Sequence, residues 1–261
     1  MKIHVSSLNE YSFCPRCIYL RHILKVTPEK SIDQILGIIG HGIRKELSLR
    51  QYRMISGIKS VDEIQNRLLD ELDKIIIDLP FIYREKFEGF DYSQYIPQIK
   101  SEILREINVL NEKLCGMIEE LGLQRSLELL TPWKVEFTIK SDELKLSGRI
   151  DKIMKFDTLI PYEIKTGDAS EDVWEGDRLQ LGAYAILLEE KFDTLIPYGY
   201  VEYTRIHEKR PVLITEQLRR RVINTRDNII DILNGKIPEI CSHGSGAKCD
   251  ACGYKEECYK I

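Results

Sequence analysis

One stretch constrains this chain more than any other: residues 148 to 165 read as two successive strands joined by a short hairpin. The first strand carries Gly-Arg-Ile-Asp and the second carries Pro-Tyr-Glu-Ile-Lys, so Asp151, Glu163 and Lys165 lie on neighbouring strands. Because side chains alternate between the two faces of a strand, Glu163 and Lys165 point the same way. Two carboxylates and an ammonium in one small volume predict a site for a hard divalent cation such as Mg²⁺ or Mn²⁺.

An ordinary ion pair on a surface hairpin is the alternative explanation of these residues, but their context favours a site. Gly148 and Gly167 bracket the hairpin, apolar residues fill its strands, and the charged residues stand at turns and strand ends. Catalytic groups usually emerge at such positions. A lysine there can orient a water molecule or stabilise charge on a phosphate.

Length, charge and hydropathy limit the class of protein. The 261 residues accommodate one large domain with or without an added lobe. The chain has 38 basic and 42 acidic residues and a net charge of −4, so any nucleic-acid binding must be local. No stretch approaches the roughly 20 apolar residues of a membrane span, and the first residues lack the apolar segment of a signal peptide. We therefore expect a cytoplasmic protein without a membrane segment.

Seven cysteines without a secretory signal favour metal ligation or redox chemistry over disulfides. Two lie near the start and three lie in the last 13 residues: Cys14, Cys17, Cys249, Cys252 and Cys258. The two Cys-x-x-Cys pairs predict a zinc site, whereas one N-terminal cysteine with the three C-terminal ones predicts an iron-sulfur cluster. The spacing leaves both open, and Cys241 is unassigned. Cys115 fits a small core residue on a helix.

Hydrophobic periodicity divides the chain into helical and strand-forming parts. The sequence predicts a short helix from Tyr11 to Leu20, helices throughout about 60 to 125, and strands from Trp133 onward. A helix from about 177 to 190, placed between two strands, predicts a crossover with parallel strands. These features predict one unit over 1–261 with four parts: N-terminal helices over 1–50, a helical insertion over 51–130, a core sheet over 131–214, and a C-terminal helix with the cysteine cluster over 215–261.

Six motifs follow one another along the chain. They are Cys-Pro-Arg from Cys14, Gly-x-x-x-His ending at His41, Gly-Arg-Ile-Asp ending at Asp151, Glu-Ile-Lys from Glu163, Gln-Leu-Gly-Ala-Tyr-Ala from Gln180, and Cys-x-x-Cys-x-x-x-x-x-Cys from Cys249. In this order they resemble the CRISPR-associated exonuclease family four, RecB-like PD-(D/E)xK nucleases that carry an iron-sulfur cluster. The resemblance implies an α/β fold: a restriction-endonuclease-like core with a mixed sheet, an inserted helical lobe and a C-terminal cysteine-rich segment.

The resemblance also implies a role for each motif residue. It makes His41, Asp151, Glu163 and the backbone carbonyl of Ile164 the ligands of Mg²⁺ or Mn²⁺. Lys165 becomes the catalytic lysine, and Gln180 and Tyr184 become a third motif that holds Lys165 or a substrate phosphate. Taken alone, His41 is better explained as a hydrogen-bonded histidine packed beneath glycines, and the Gln180–Tyr184 pair is equally well explained as the polar edge of a packed helix.

The cysteine motifs imply an iron-sulfur cluster, with 4Fe-4S favoured over 2Fe-2S. Its ligands by this resemblance are Cys14, Cys249, Cys252 and Cys258. Two features depart from the family pattern: Cys17 is an extra cysteine beside the first ligand, and Pro161 stands two residues before Glu163 rather than beside an aspartate. The role of Arg16 in the Cys-Pro-Arg motif is not defined by the pattern.

By resemblance, the activity is metal-dependent DNA exonuclease action on single-stranded ends, from 5′ to 3′, which processes prespacers in CRISPR adaptation. The implied partners are DNA and a CRISPR integrase complex, and an oligomer is compatible with the sequence. A RecB-like repair or viral nuclease outside CRISPR is one alternative, and a noncatalytic DNA-binding scaffold is another. Trp174, in the loop before the third-motif helix, is a weak candidate for base stacking. The run Arg219, Arg220 and Arg221 is either a solvated helix face or an edge that follows phosphates.

Overall fold

A mixed six-stranded sheet forms the centre of the computed structural model, which describes residues 1–28, 31–84, 91–240, 246–250 and 252–261. Its strands are β1 (Ile3–His4), β2 (Lys134–Ser141), β3 (Leu146–Lys155), β4 (Leu159–Lys165), β5 (Tyr198–Tyr203) and β6 (Glu208–Leu213). The strand order is β1-β3-β4-β5-β6, and β2 pairs with β3. The predicted mixed sheet is confirmed.

Helices cover one face of the sheet and form a separate lobe. They are α1 (Val5–Phe13), α2 (Pro15–His22), α3 (Ile32–Ile55), α4 (Glu63–Ile82), α5 (Ile96–Leu121), α6 (Leu123–Leu130), α7 (Glu175–Phe192), α8 (Glu216–Leu233), α9 (Gly246–Asp250) and α10 (Lys255–Cys258). No helix in the part of the chain that the structure describes is long and apolar enough to cross a membrane.

The central hairpin and the crossover that follows it set the geometry of the sheet. Strands β3 and β4 are antiparallel, with Lys152 opposite Tyr162. Strands β4 and β5 are parallel, with Glu163 opposite Val201, and α7 connects them. The predicted crossover is therefore confirmed. Since consecutive parallel strands need such a connection, α7 is brought back across the sheet beside β4.

Two large hydrophobic cores hold the described part of the molecule together. The first joins the sheet to α1, α7 and α8 through side chains such as Leu8, Ile150 and Leu187. The second lies within α3, α4, α5 and α6 and includes Leu72 and Ile103. The helical part from about 60 to 130 therefore has a core of its own. The expected boundary at residue 50 falls inside α3, whose residues contribute to that second core.

The single helix predicted from Tyr11 to Leu20 is wrong, because the chain forms two helices there. Helix α1 ends at Phe13 and α2 begins at Pro15, with Cys14 extended between them at φ −162° and ψ 121°. Proline has no N–H and disfavours the helical conformation of the residue before it. The break leaves Cys14 outside both helices and places Cys17 in the first turn of α2.

Candidate metal centre

The hairpin β3–β4 brings Asp151 and Glu163 side by side beneath α7. Asp151 Oδ2 accepts a hydrogen bond from the Ile164 N–H at 2.7 Å, which fixes the carboxylate, and its Oδ1 faces His41. Glu163 Oε1 accepts from Lys165 Nζ at 3.0 Å and from Gln180 Nε2 at 3.2 Å. Glu163 Oε2 is buried without a hydrogen-bond partner among the described residues. A buried, unpaired carboxylate oxygen is costly, so it favours a cation at this position.

Helix α3 places His41 beside these acidic residues. Its Nε2 lies 3.4 Å from Asp151 Oδ1 and 3.1 Å from Oε1 of Glu136, a residue of β2. His41, Glu136 and Asp151 each offer a ligand atom within 4.8 Å of the others. No sequence motif points to Glu136, since its position beside Asp151 depends on the register between β2 and β3. Glu163 lies outside this group of three but beside it on β4.

Lys165 is held by three oxygen atoms. Its Nζ lies 2.8 Å from Asp177 Oδ1, 3.0 Å from Glu163 Oε1 and 3.2 Å from Gln180 Oε1. Burial disfavours the ammonium, but the neighbouring Glu163 and Asp177 carboxylates outweigh it and raise the pKa of Lys165. The side chain therefore carries a positive charge near neutral pH and can donate hydrogen bonds.

Asp177 and Asn9 are site residues that the sequence motifs missed. Asn9 of α1 donates from Nδ2 to Asp177 Oδ1 at 2.7 Å and to Gln180 Oε1 at 2.6 Å. A Cβ on Gly176 would lie only 2.6 Å from Asn9 Oδ1, so α1 and α7 approach closely only with glycine there. These contacts join residues about 170 positions apart, and no local sequence pattern reports them.

Tyr184 supports β3 and makes no hydrogen bond to Lys165. Its buried hydroxyl donates to the Arg149 carbonyl at 3.0 Å, two residues before Asp151. The ring lies so close to Gly148 that a Cβ there would be 2.9 Å from Tyr184 Cε1. The Gln180 side chain hydrogen-bonds with both Lys165 and Glu163.

The electrostatics of the centre favour a bound cation. Burial, together with the nearby Glu163 charge, raises the pKa of Asp151 to about 7. Burial opposes the charging of His41, but its hydrogen bond with Glu136 and the nearby Asp151, Glu136 and Glu163 charges together outweigh burial and raise the pKa of the imidazole. Several buried acids beside one imidazole form a donor set that suits Mg²⁺ or Mn²⁺. The residues present therefore fit the divalent metal expected from the sequence.

The cysteines of the two chain ends meet in a second site. Four line one small cavity: Cys14, Cys249, Cys252 and Cys258. Cys17 Sγ lies 3.9 Å from Cys252 Sγ, so the extra cysteine also reaches this region. Cys241 lies outside the described residues, and Cys115 packs against the core of the helical lobe. The thiols suit an iron-sulfur cluster or zinc. Because Cys17 lies near the other thiols, the geometry is compatible with both sets of four ligands, the one that includes Cys258 and the one that includes Cys17.

Arg16 connects the two chain ends. Its Nε donates to the Pro238 carbonyl at 3.0 Å, and its Nη1 donates to the Cys258 carbonyl at 2.6 Å and lies 3.7 Å from Cys258 Sγ. The side chain is buried. Its place in the Cys-Pro-Arg motif therefore has a structural explanation: Arg16 binds the C-terminal segment that carries the cysteines.

Two of the three arginines in the run on α8 form ion pairs with α7, and the third is exposed. Arg219 Nη2 lies 2.7 Å from Glu189 Oε1, and Arg221 pairs with Glu175. These two arginines therefore hold α8 against α7, and Arg220 remains exposed. Trp174, just before α7, is 62% exposed.

A mixed sheet whose central hairpin carries two acids and a lysine defines a nuclease-type α/β core. The chain belongs to the PD-(D/E)XK nuclease superfamily, whose family model matches residues 2–259. The family and fold class predicted from the sequence are confirmed at this level.

Three similar proteins carry CRISPR-associated names. Fusions named CRISPR-associated exonuclease Cas4/endonuclease Cas1 are 36% identical over 97 residues in Leptospira interrogans and 46% identical over 65 residues in Myxococcus xanthus. These matches cover 35% and 22% of this chain and 18% and 11% of the fusions. The CRISPR-associated exonuclease Cas4 of Francisella tularensis subsp. novicida is 31% identical over 123 residues, which cover 46% of this chain and 60% of the relative. The chain thus matches less than two thirds of each relative.

Proposed function

We propose that this protein is a divalent-metal-dependent deoxyribonuclease that hydrolyses phosphodiester bonds. One observation carries the proposal: Asp151, Glu163 and Lys165 converge, and the buried Glu163 Oε2 has no hydrogen-bond partner among the described residues. Asp151, Glu163, His41 and the Ile164 carbonyl would hold the cation. When bound, such a cation polarises a phosphate and lowers the pKa of a coordinated water molecule.

The chain's own residues supply charge and orientation. The Lys165 ammonium donates a hydrogen bond to the attacking water or to a nonbridging phosphate oxygen, where it neutralises developing charge. Asp177 and Gln180 hold Nζ in place, so the donor is positioned before substrate arrives. Tyr184 holds the backbone of β3 beside Asp151. The imidazole of His41 presents Nε2 toward the acids.

Single-stranded DNA ends are the proposed substrate. Two clefts open beside the metal centre. One, of about 620 Å³, includes His41, Thr166 and Tyr254. The other, of about 470 Å³, includes Asp151 and Glu163. A single strand in these clefts would place its backbone at the acids, and Trp174 offers an exposed ring for base stacking. The 5′ to 3′ polarity is proposed from the family resemblance.

An iron-sulfur cluster on Cys14, Cys249, Cys252 and Cys258 is the proposed second cofactor, with 4Fe-4S favoured. It would tie the C-terminal segment to α2, and its loss would remove that stability. A zinc ion on the two Cys-x-x-Cys pairs is the alternative. Anaerobic absorption together with iron and zinc analysis separates a coloured cluster from colourless zinc.

The proposed setting is prespacer processing in CRISPR adaptation with an integrase as partner. Two relatives are named as fusions with the endonuclease Cas1, which places the two activities in one polypeptide in those organisms. A RecB-like repair or viral nuclease outside CRISPR is the alternative, and it would use the same metal centre. Co-purification with an integrase encoded nearby tests this setting.

Cleavage of end-labelled DNA tests the nuclease proposal. Single-stranded and duplex DNA with Mn²⁺ are incubated with wild type, Lys165→Ala and the control Lys140→Ala, which changes an exposed lysine of β2. We expect cutting by wild type and control, and loss of cutting with retained DNA binding in Lys165→Ala. Labels at either end, with one end blocked, determine polarity. Cutting by Lys165→Ala contradicts the assignment, and DNA binding without any cutting favours the noncatalytic scaffold.

A further inference from the structure

Glu136 has a backbone conformation unusual for a strand residue. Its φ is +52°, in the left-handed region that disfavours residues with a Cβ. Val135 pairs with Lys152 and Phe137 pairs with Ile150, so Glu136 lies opposite Asp151. Strained residues cluster at functional sites when their surroundings fix them. The strained backbone at this position therefore indicates that the Glu136 side chain makes a functional interaction.

The alternation of side chains between the two faces of β3 is also interrupted beside Glu136. Ile150 and Ile153 both belong to the sheet core, although residues three apart in a regular strand face opposite sides. The irregularity on β3 and the left-handed residue on β2 flank the same carboxylate, Asp151. Together they direct the Glu136 and Asp151 side chains toward one point.

Both carboxylates face the same nitrogen of His41. Glu136 Oε1 lies 3.1 Å and Asp151 Oδ1 lies 3.4 Å from Nε2. A carboxylate that merely orients a metal-binding histidine accepts a hydrogen bond from the other ring nitrogen, away from the metal. Two oxygens and one nitrogen facing a common centre are instead an arrangement of direct ligands.

Arg149 leaves one oxygen of Glu136 available. Its Nε lies 2.7 Å from Glu136 Oε2, the oxygen that does not face His41. The arginine side chain is largely exposed, whereas the Glu136 carboxylate is not. Arg149 thus fixes the carboxylate from the solvent side, and Oε1 remains directed at His41 and Asp151.

We propose that Glu136 is a direct ligand of the divalent cation, in addition to the ligands given by the sequence motifs. This inference rests on the proposed function, because it concerns the same metal centre. The oxygen and imidazole donors of this centre suit a hard divalent cation. The donors then come from β2, β3, β4 and α3.

Mn²⁺ binding to the metal-free site tests this role independently of DNA cleavage. Calorimetry with wild type, Glu136→Gln and the control Glu143→Gln, which changes an exposed glutamate in the β2–β3 turn, measures affinity. We expect Glu136→Gln to bind Mn²⁺ at least about tenfold more weakly, as loss of metal-site contacts does, and the control to match wild type. Circular dichroism checks folding, and Glu136→Asp, which keeps the charge but withdraws the carboxylate, replaces Glu136→Gln if that variant is unfolded.

Pulsed electron paramagnetic resonance of bound Mn²⁺ distinguishes a ligand from a residue that positions His41. In Glu136→Ala we expect the histidine nitrogen coupling to persist and the number of coordinated water molecules to rise by one. Unchanged affinity in Glu136→Gln, or loss of the nitrogen coupling without an added water molecule in Glu136→Ala, overturns the proposal and leaves the nuclease assignment intact. Absence of Mn²⁺ binding in wild type contradicts both.

Discussion

At the residue scale, the arrangement around Lys165 makes Asp177 a positioning residue. Asp177 contacts Lys165 and Asn9 and is not among the residues assigned to the cation above. We expect Asp177→Asn to lower the cleavage rate by about tenfold or more, because a misplaced catalytic group loses much of its effect. Mn²⁺ affinity should stay near that of wild type.

The matched control is Asp172→Asn, which removes an exposed carboxylate paired with Arg178 in the loop before α7. Exposed pairs contribute little to stability, so its cleavage rate and Mn²⁺ affinity should equal those of wild type. A large loss of Mn²⁺ affinity in Asp177→Asn would show that Asp177 belongs to the metal site itself.

Arg16 gives a second prediction at this scale, about the docking of the C-terminal segment. Arg16→Gln leaves the Pro238 and Cys258 carbonyls without their charged donor. We expect a loss of roughly 2 kcal/mol in the free energy of unfolding, within the range for hydrogen bonds to charged groups, and faster proteolysis near residue 240. Urea unfolding and limited proteolysis measure the two effects. Arg21→Gln, on the exposed side of α2, is the control, and equal losses in both variants would contradict the prediction.

The residues of the candidate site differ in how far the sequence alone could specify them. Lys165 and Glu163 share one strand, so spacing alone brings them together. Glu136, Asn9 and Asp177 enter only through register and long-range packing, which a single sequence does not encode in any local pattern. Residues that complete a site from other elements are therefore the ones that sequence analysis misses.

At the scale of elements, α7 depends on glycine for its contact with α8. A Cβ on Gly182 would lie 2.9 Å from Val222 Cγ2 and 3.0 Å from Leu218 Cγ. We expect Gly182→Ala to lower the free energy of unfolding by about 1 to 3 kcal/mol, the usual cost of overpacking a core. Thermal and urea unfolding provide the measurement.

A helical glycine without such contacts is the control. A Cβ on Gly116 of α5 would meet nothing within 4 Å. Gly116→Ala should therefore stabilise the protein by about 0.5 to 1 kcal/mol through helix propensity. If Gly182→Ala also stabilises the protein, the close approach of α7 and α8 is wrong.

The strand–helix–strand order around α7 was predictable because its periodicity is local, whereas the break before Pro15 was missed because the apolar pattern continues across it.

At the scale of the whole molecule, α3 connects the helical lobe to the sheet. Its residues Ile39 and Ile43 belong to the lobe core, and His41 between them reaches the acids of β2 and β3. A cation bound by His41 and Asp151 would therefore join the two cores directly. Metal binding should then stabilise the lobe as well as the site, because a ligand that binds only the folded state stabilises what holds it.

Hydrogen exchange with and without Mn²⁺ tests this coupling. At about 100 times the dissociation constant, we expect added protection of up to roughly 2.7 kcal/mol in wild type, in α3 as well as in β3 and β4. In His41→Ala the gain should be lost from α3 but partly retained in the hairpin, where Asp151 and Glu163 remain. His22→Ala, on α2, should behave as wild type. Equal protection of α3 in His41→Ala and wild type would mean that the lobe is coupled to the site by packing alone, and that the imidazole is not the connection between the two cores.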